Sequence, residues 1–172
     1  MESDVHPITD LARQAVRYYL DHGIPLPCQE PLCDDFKQPS GAFVSIKKGK
    51  KLRGCIGSLS PTHGNLAIEI IQNAISAATK DPRFYPVTRE ELDDLTFSVD
   101  VLTPLEKVDD FSQLDSKRYG VAVKSGDKQG ILLPDLEGID TVEEQLRICL
   151  KKAKIQENEP YEMYRFQVTR YK

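Results

Sequence analysis

Two successive blocks of hairpin, helix and returning strand, with helices set against antiparallel strands, are the fold this sequence predicts. Three observations carry it. Apolar residues alternate with a period of two in short runs before and after residue 110, which is the pattern of half-buried strands. Between those runs the period changes to that of an amphipathic helix. The punctuation also repeats: the turn glycines Gly49 and Gly126 are 77 residues apart, and the helix caps Asn65 and Thr141 are 76 apart.

From Thr9 onward, Leu11, Ala12, Ala15, Val16, Tyr19 and Leu20 fall at helical spacing, and Gly23 is a stop signal. Ile24 to Gly41 holds Pro25, Pro27, Pro31 and Pro39 and reads as irregular chain. Ala42 to Lys47 alternates as a strand, turns at Lys48-Gly49-Lys50 and returns through Leu52 to Ser58. Asn65 caps a helix whose face is Ala67, Ile70, Ile71, Ala74, Ile75 and Ala78, and Asp81-Pro82 ends it. Thr88 with Glu91 reads as a capping box for a short helix, and Leu95 to Val101 as a strand.

The second block follows the same plan. Tyr119 to Lys124 and Gln129 to Leu133 flank the turn Ser125-Gly126-Asp127. Thr141 with Glu144 is a second capping box, opening a helix that buries Leu146, Cys149, Leu150 and Ala153. Tyr164, Phe166 and Val168 alternate as the last strand.

The 172 residues suffice for a sizeable core, and 40% hydrophobic with 29% charged residues is the composition of an ordinary globular chain. A net charge of −4 disfavours general nucleic-acid affinity, which wants a basic surface. No apolar run reaches membrane-spanning length, and Met1 to Asp10 lacks a signal-peptide pattern. Cys28, Cys33, Cys55 and Cys149 form no disulfide framework, so the expected compartment is a reducing cytoplasm. Phosphate-loop, dinucleotide and serine-hydrolase patterns are absent. Cys28 and Cys33 lack a second ligand pair, so no metal site is expected.

Leu52-Arg53-Gly54-Cys55-Ile56-Gly57 is an odd composition for an interior strand. Glycine weakens a strand and often marks close approach of a ligand or another backbone. Arg53 and Cys55, two apart, share a face; Leu52, Gly54 and Ile56 share the other. Cys55 is therefore a candidate nucleophile and Arg53 the candidate cation to stabilise its thiolate, with Gly54 and Gly57 leaving room for a ligand. The plainer reading is a small buried apolar residue, since no partner base is evident and His63 sits in a loop. Asp81 and Arg83 stand where the chain leaves the helix, either to bind an anionic ligand or as a structural ion pair. Lys47, Lys48, Lys50, Lys51 and Arg53 put five cations on one hairpin, as an anion seat or a solvated turn.

LRGCIG (Leu52 to Gly57), followed by AISAATKDPRFYPVTREEL (Ala74 to Leu92), resembles the AMMECR family. It is named for the Alport syndrome, mental retardation, midface hypoplasia and elliptocytosis chromosomal region. Its prokaryotic members are called AmmeMemoRadiSam system protein A. The similarity extends through Leu11 to Arg13, Gly41 to Ile46, Ser98 to Pro104 and Ile131 to Pro134. Lys152-Ala153-Lys154-Ile155 departs from the family's usual Lys-Ala-Gly-Leu, and Cys28 and Cys33 look peculiar to this chain.

The resemblance implies an α+β fold, with repeats over roughly 41–103 and 118–171 around one antiparallel, barrel-like sheet and the helices packed outside. It implies a single domain over 1–172, with a larger lobe containing both termini and a smaller lobe. It further implies a substrate- or ligand-holding component of a modification system with Memo-like and radical-SAM proteins, acting on RNA or a small metabolite. The alternative is a non-catalytic protein- or RNA-binding module using the same cleft. Neither reading names a cofactor or a reaction.

Overall fold

The computed structural model of the chain describes residues 5–30 and 32–172. Pro31 and the signal-peptide reading over residues 1–4 lie outside the described residues. The chain divides into two compact units, one running to Val101 and including Thr169–Lys172, the other spanning Leu102–Val168.

In the first unit α1 (Pro7–His22) begins two residues before the expected Thr9. The His6 imidazole accepts the Ile8 N–H at 3.2 Å, and Pro7 takes the first helical position, where a missing N–H costs nothing. Gly23 ends the helix at φ 73°, a left-handed conformation that only glycine adopts without penalty. Within the stretch read as irregular, Asp34–Lys37 forms one helical turn, α2. β1 (Ala42–Lys48) and β2 (Lys51–Ser58) make the hairpin, with a register shift at Ile46/Lys47. Asn65 caps α3 (Leu66–Thr79) by accepting the Ile68 N–H at 2.9 Å. β3 (Leu95–Leu102) pairs with the free edge of β1, and β8 (Val168–Tyr171) follows it, giving the order β2-β1-β3-β8.

One face of this sheet is apolar. Val44, Ile46, Leu95 and Val99 pack with Ile70, Ile71 and Ala74 of α3 and with Ile8, Ala12 and Val16 of α1. Each such valine, leucine or isoleucine side chain contributes about 1.5–3 kcal/mol when fully buried.

In the second unit β5 (Gly120–Ser125) and β6 (Lys128–Leu132) form the hairpin, and Thr141 caps α4 (Val142–Ala153) through the Glu144 N–H. β7 (Glu162–Phe166) pairs with β5, and β4 (Glu106–Val108) pairs with β7, giving the order β4-β7-β5-β6. α4 packs on β5 and β6 over Val121, Val123, Leu132, Leu146 and Cys149.

Three expectations are corrected. There is no single barrel-like sheet: the strands form two separate four-stranded sheets, neither closed on itself. The expected last strand is two strands, because the chain leaves one sheet after Phe166 and enters the other at Val168. Thr88 and Glu91 make no capping box. Only a 3-10 turn forms, at Leu92–Asp94, and the Glu91 carboxylate is taken by Arg53.

Candidate functional site

The site is built on the face of the first sheet opposite α3, and Gly54 explains why. A Cβ at Gly54 would lie 2.1 Å from the Ala77 carbonyl oxygen, so the α3 backbone occupies the space that a side chain would need. Strand alternation then turns Cys55 to the other face. At Gly57 a Cβ would meet the Phe43 ring at 2.3 Å. The room expected for a ligand above these two glycines is filled by the protein's own helix backbone and aromatic ring.

Cys55 lies opposite Ser45 on β1, which lies opposite Ser98 on β3, so one thiol and two hydroxyls form a row across three strands. Ser45 Oγ is 3.2 Å from Cys55 Sγ. Two residues along β3 from Ser98, Asp100 is buried and held by both Nε and NH2 of Arg170, at 2.7 and 2.9 Å. Asp81 closes the other side. Its carboxylate accepts the Cys55 N–H at 3.0 Å and the Arg83 guanidinium at 3.0 and 2.8 Å. The half-buried thiol is thus flanked by two carboxylate–guanidinium pairs.

Burial pushes the Cys55 thiol above its ordinary pKa, and the Asp100 and Asp81 charges push the same way. The Ser45 hydrogen bond and the Arg83 charge oppose without prevailing. The balance favours the neutral thiol. The Arg83 guanidinium holds the Asp81 carboxyl well below the usual range, helped by the Cys55 N–H.

Arg53, expected to stabilise a Cys55 thiolate, is engaged elsewhere. Its Nε donates to Glu91 at 2.7 Å, and its terminal nitrogens donate to the Tyr85 and Pro86 carbonyls at 2.7 and 3.2 Å. The cation whose charge acts on the thiol is Arg83. Arg53 pins the loop that follows α3 to strand β2. Asp81 pins the same loop from its other end, and the Val87 N–H donates to Ala78 at 2.8 Å. On this braced loop Tyr85 is 91% exposed.

Sequence reasoning missed Ser45, Ser98, Asp100, Arg170 and Glu91. The alternation of β1 and β3 put Ser45 and Ser98 on the polar face, and only the pairing of β1 with β3 brings them to Cys55. It also missed Glu69, buried in α3, which accepts hydrogen bonds from Ser58, Thr62 and His63, the last through Nδ1 at 2.9 Å. Burial alone would raise the Glu69 pKa, but those hydrogen bonds outweigh it and lower the value. His63 therefore anchors a loop on α3. Lys47, Lys48, Lys50 and Lys51 are exposed at the hairpin tip. Cys28 and Cys33 both line an apolar groove with Leu26 and Phe36, and all four cysteines are free. Among the described residues no group of three or more His, Cys, Asp or Glu is placed to hold a metal, and no helix is long and apolar enough to cross a membrane.

Proteins of other organisms are similar to this chain. A Thermotoga maritima protein is 51% identical over 97% of this chain and 98% of its own length. A Clostridium acetobutylicum protein is 49% identical over 96% of this chain, which spans only 36% of that longer protein. The crystal structure of an uncharacterized protein from Pyrococcus horikoshii matches with a TM-score of 0.86 at 31% identity, covering 95% of this chain and 88% of that one. The AMMECR1 family model covers residues 9–171. With nearly its whole length matched, the chain belongs to the AMMECR1 family.

Proposed function

We propose that this protein is a holding module, which binds a substrate or ligand on the Cys55 face and works with Memo-like and radical-SAM proteins in a modification system. The observation that carries the reading is the setting of Cys55 between two carboxylate–guanidinium pairs. A neutral thiol, hydrogen-bonded by Ser45 and flanked by the Asp81–Arg83 and Asp100–Arg170 pairs, suits recognition better than unaided attack. As a nucleophile Cys55 would need a bound partner or substrate to lower its pKa. Arg83, with its side chain 56% exposed, is the group on this face able to meet an anionic ligand. Four free thiols support a reducing, cytoplasmic setting. The longer clostridial relative supports a domain that operates joined to other chain.

Tyr85 favours the second reading, a protein-binding module. An exposed aromatic on a loop already fixed by Arg53 and Asp81 loses little further freedom on docking, and such aromatics dominate interface energetics. The RNA alternative rests on the lysine hairpin and predicts salt-sensitive retention on heparin.

Thiol alkylation against pH tests the holding reading. Cys55 is expected to react slowly with iodoacetamide at pH 7 and to accelerate only above about pH 9. Fast reaction at pH 6 would replace it with thiol catalysis. In co-purification with a Memo-like protein, Cys55→Ala should retain the complex and Tyr85→Ala should lose it if docking is through the loop. Retention by Tyr85→Ala would remove the second reading.

A further inference from the structure

The second unit carries a groove of about 660 Å³ that the Cys55 face does not share. Its floor is one edge of α4. Val142, Leu146 and Leu150 recur every four residues and so line up along the helix. Phe111, 56% exposed, and Tyr161 add aromatic walls. Parallel to the apolar row runs a basic one, Arg147, Lys151 and Lys154, spaced by four and three residues. Arg147 lies 3.7 Å from Glu144, but neither Lys151 nor Lys154 has an ion-pair partner among the described residues. Glu143 and Glu157 also line the groove, leaving three cations to two carboxylates. The unpaired charge lies toward the C-terminal end of α4.

Lys154 adds a second observation. It takes the left-handed conformation just past the helix, at φ 57°, where glycine is the unstrained residue. A lysine held there against its backbone preference puts an ammonium at the end of an apolar trough.

We infer that this groove binds an amphiphilic monoanion, an apolar chain or ring ending in a carboxylate, with its body along Val142, Leu146 and Leu150 and its head on Lys151 and Lys154. The volume falls within the range of small-molecule sites, about 300–1,000 Å³. An acidic helix of a partner protein would call for cations along the whole groove. Here the two unpaired ones, Lys151 and Lys154, stand toward one end, and Glu143 and Glu157 line the groove as well. The inference is independent of the function proposed for the first unit.

The test is calorimetric titration of the full chain with sodium decanoate below its micelle concentration, and with 1-decanol in parallel. Saturable one-to-one decanoate binding is expected, about tenfold tighter than decanol. The double variant Lys151→Glu/Lys154→Glu should weaken decanoate about tenfold and leave decanol unchanged. Phe111→Ala should weaken both. Lys154→Gly should weaken decanoate while raising the melting temperature, which separates lost binding from lost folding. Cys55→Ala should leave decanoate binding as it is, since Cys55 does not line this groove. Equal binding of decanoate and decanol, no saturable heat, or an indifferent double lysine variant would overturn the inference. So would binding of an acidic amphipathic peptide without binding of decanoate.

Discussion

The two units use the same backbone device for different ends. In each hairpin the returning strand has a glycine pressed against the covering helix. A Cβ at Gly54 would lie 2.1 Å from the Ala77 carbonyl oxygen, and one at Gly130 would lie 2.3 Å from that of Cys149. The next residue turns to the opposite face of its sheet. In the first unit that residue begins the row Cys55, Ser45, Ser98; in the second the corresponding row is Ile131, Ala122, Tyr164. The glycine is therefore architectural in both, and the chemistry resides in the row beside it. Glycine next to a cysteine is no sign of ligand access when the same glycine recurs beside an isoleucine.

The largest effects test the shared device. Gly54→Ala and Gly130→Ala should each cost about 3 kcal/mol, because a helix backbone has to move, and denaturant unfolding measures it. A small loss at either position would break the equivalence. Next comes the Arg53 clamp on the loop after α3, built at a strand position that Gln129 fills in the second unit. Arg53→Ala should cost about 2 kcal/mol and raise hydrogen exchange across residues 82–87. Gln129→Ala, one residue before Gly130 as Arg53 is before Gly54, should stay within about 0.5 kcal/mol.

A pH series sharpens the contrast further. The folded pKa of Asp81 is depressed, so its stabilisation is complete above the unfolded carboxylate range of about pH 4 and is lost as pH falls. Asp81→Asn should lower stability at pH 7 and flatten the acid limb of a stability–pH curve; an unchanged limb would mean that Asp81 is not the group responsible. The smallest effect separates the helix ends. Lys154→Gly should stabilise by about 1 kcal/mol by relieving a left-handed lysine. Lys80→Gly should bring no gain, since Lys80 ends α3 at φ −124°.

What was legible in the sequence was local. Asn65, Thr141, Gly49 and Gly126 cap or turn the chain through bonds to residues a few positions away, so spacing alone located both hairpins and both helices. The family was legible too, through the hexapeptide and the Asp81-Pro82-Arg83-Phe84 run. The site was only half legible. Cys55, Asp81 and Arg83 do meet, but the Glu91 partner of Arg53 lies 38 residues away and the Arg170 partner of Asp100 lies 70 away. Those distances are bridged by tertiary folding, on which side-chain periodicity is silent. Asp100 is buried for the same reason, with no local signal to mark it.

The crossing at Gln167 has a consequence for synthesis. β8 belongs to the sheet of the first unit, yet it is made after β4 to β7 and α4 of the second. A nascent chain can finish Leu102–Phe166 while the earlier sheet still lacks its edge strand and Asp100 still lacks Arg170. On the ribosome, where domains usually mature from the N-terminus onward, the first sheet can be completed only after Leu102–Phe166 has been made.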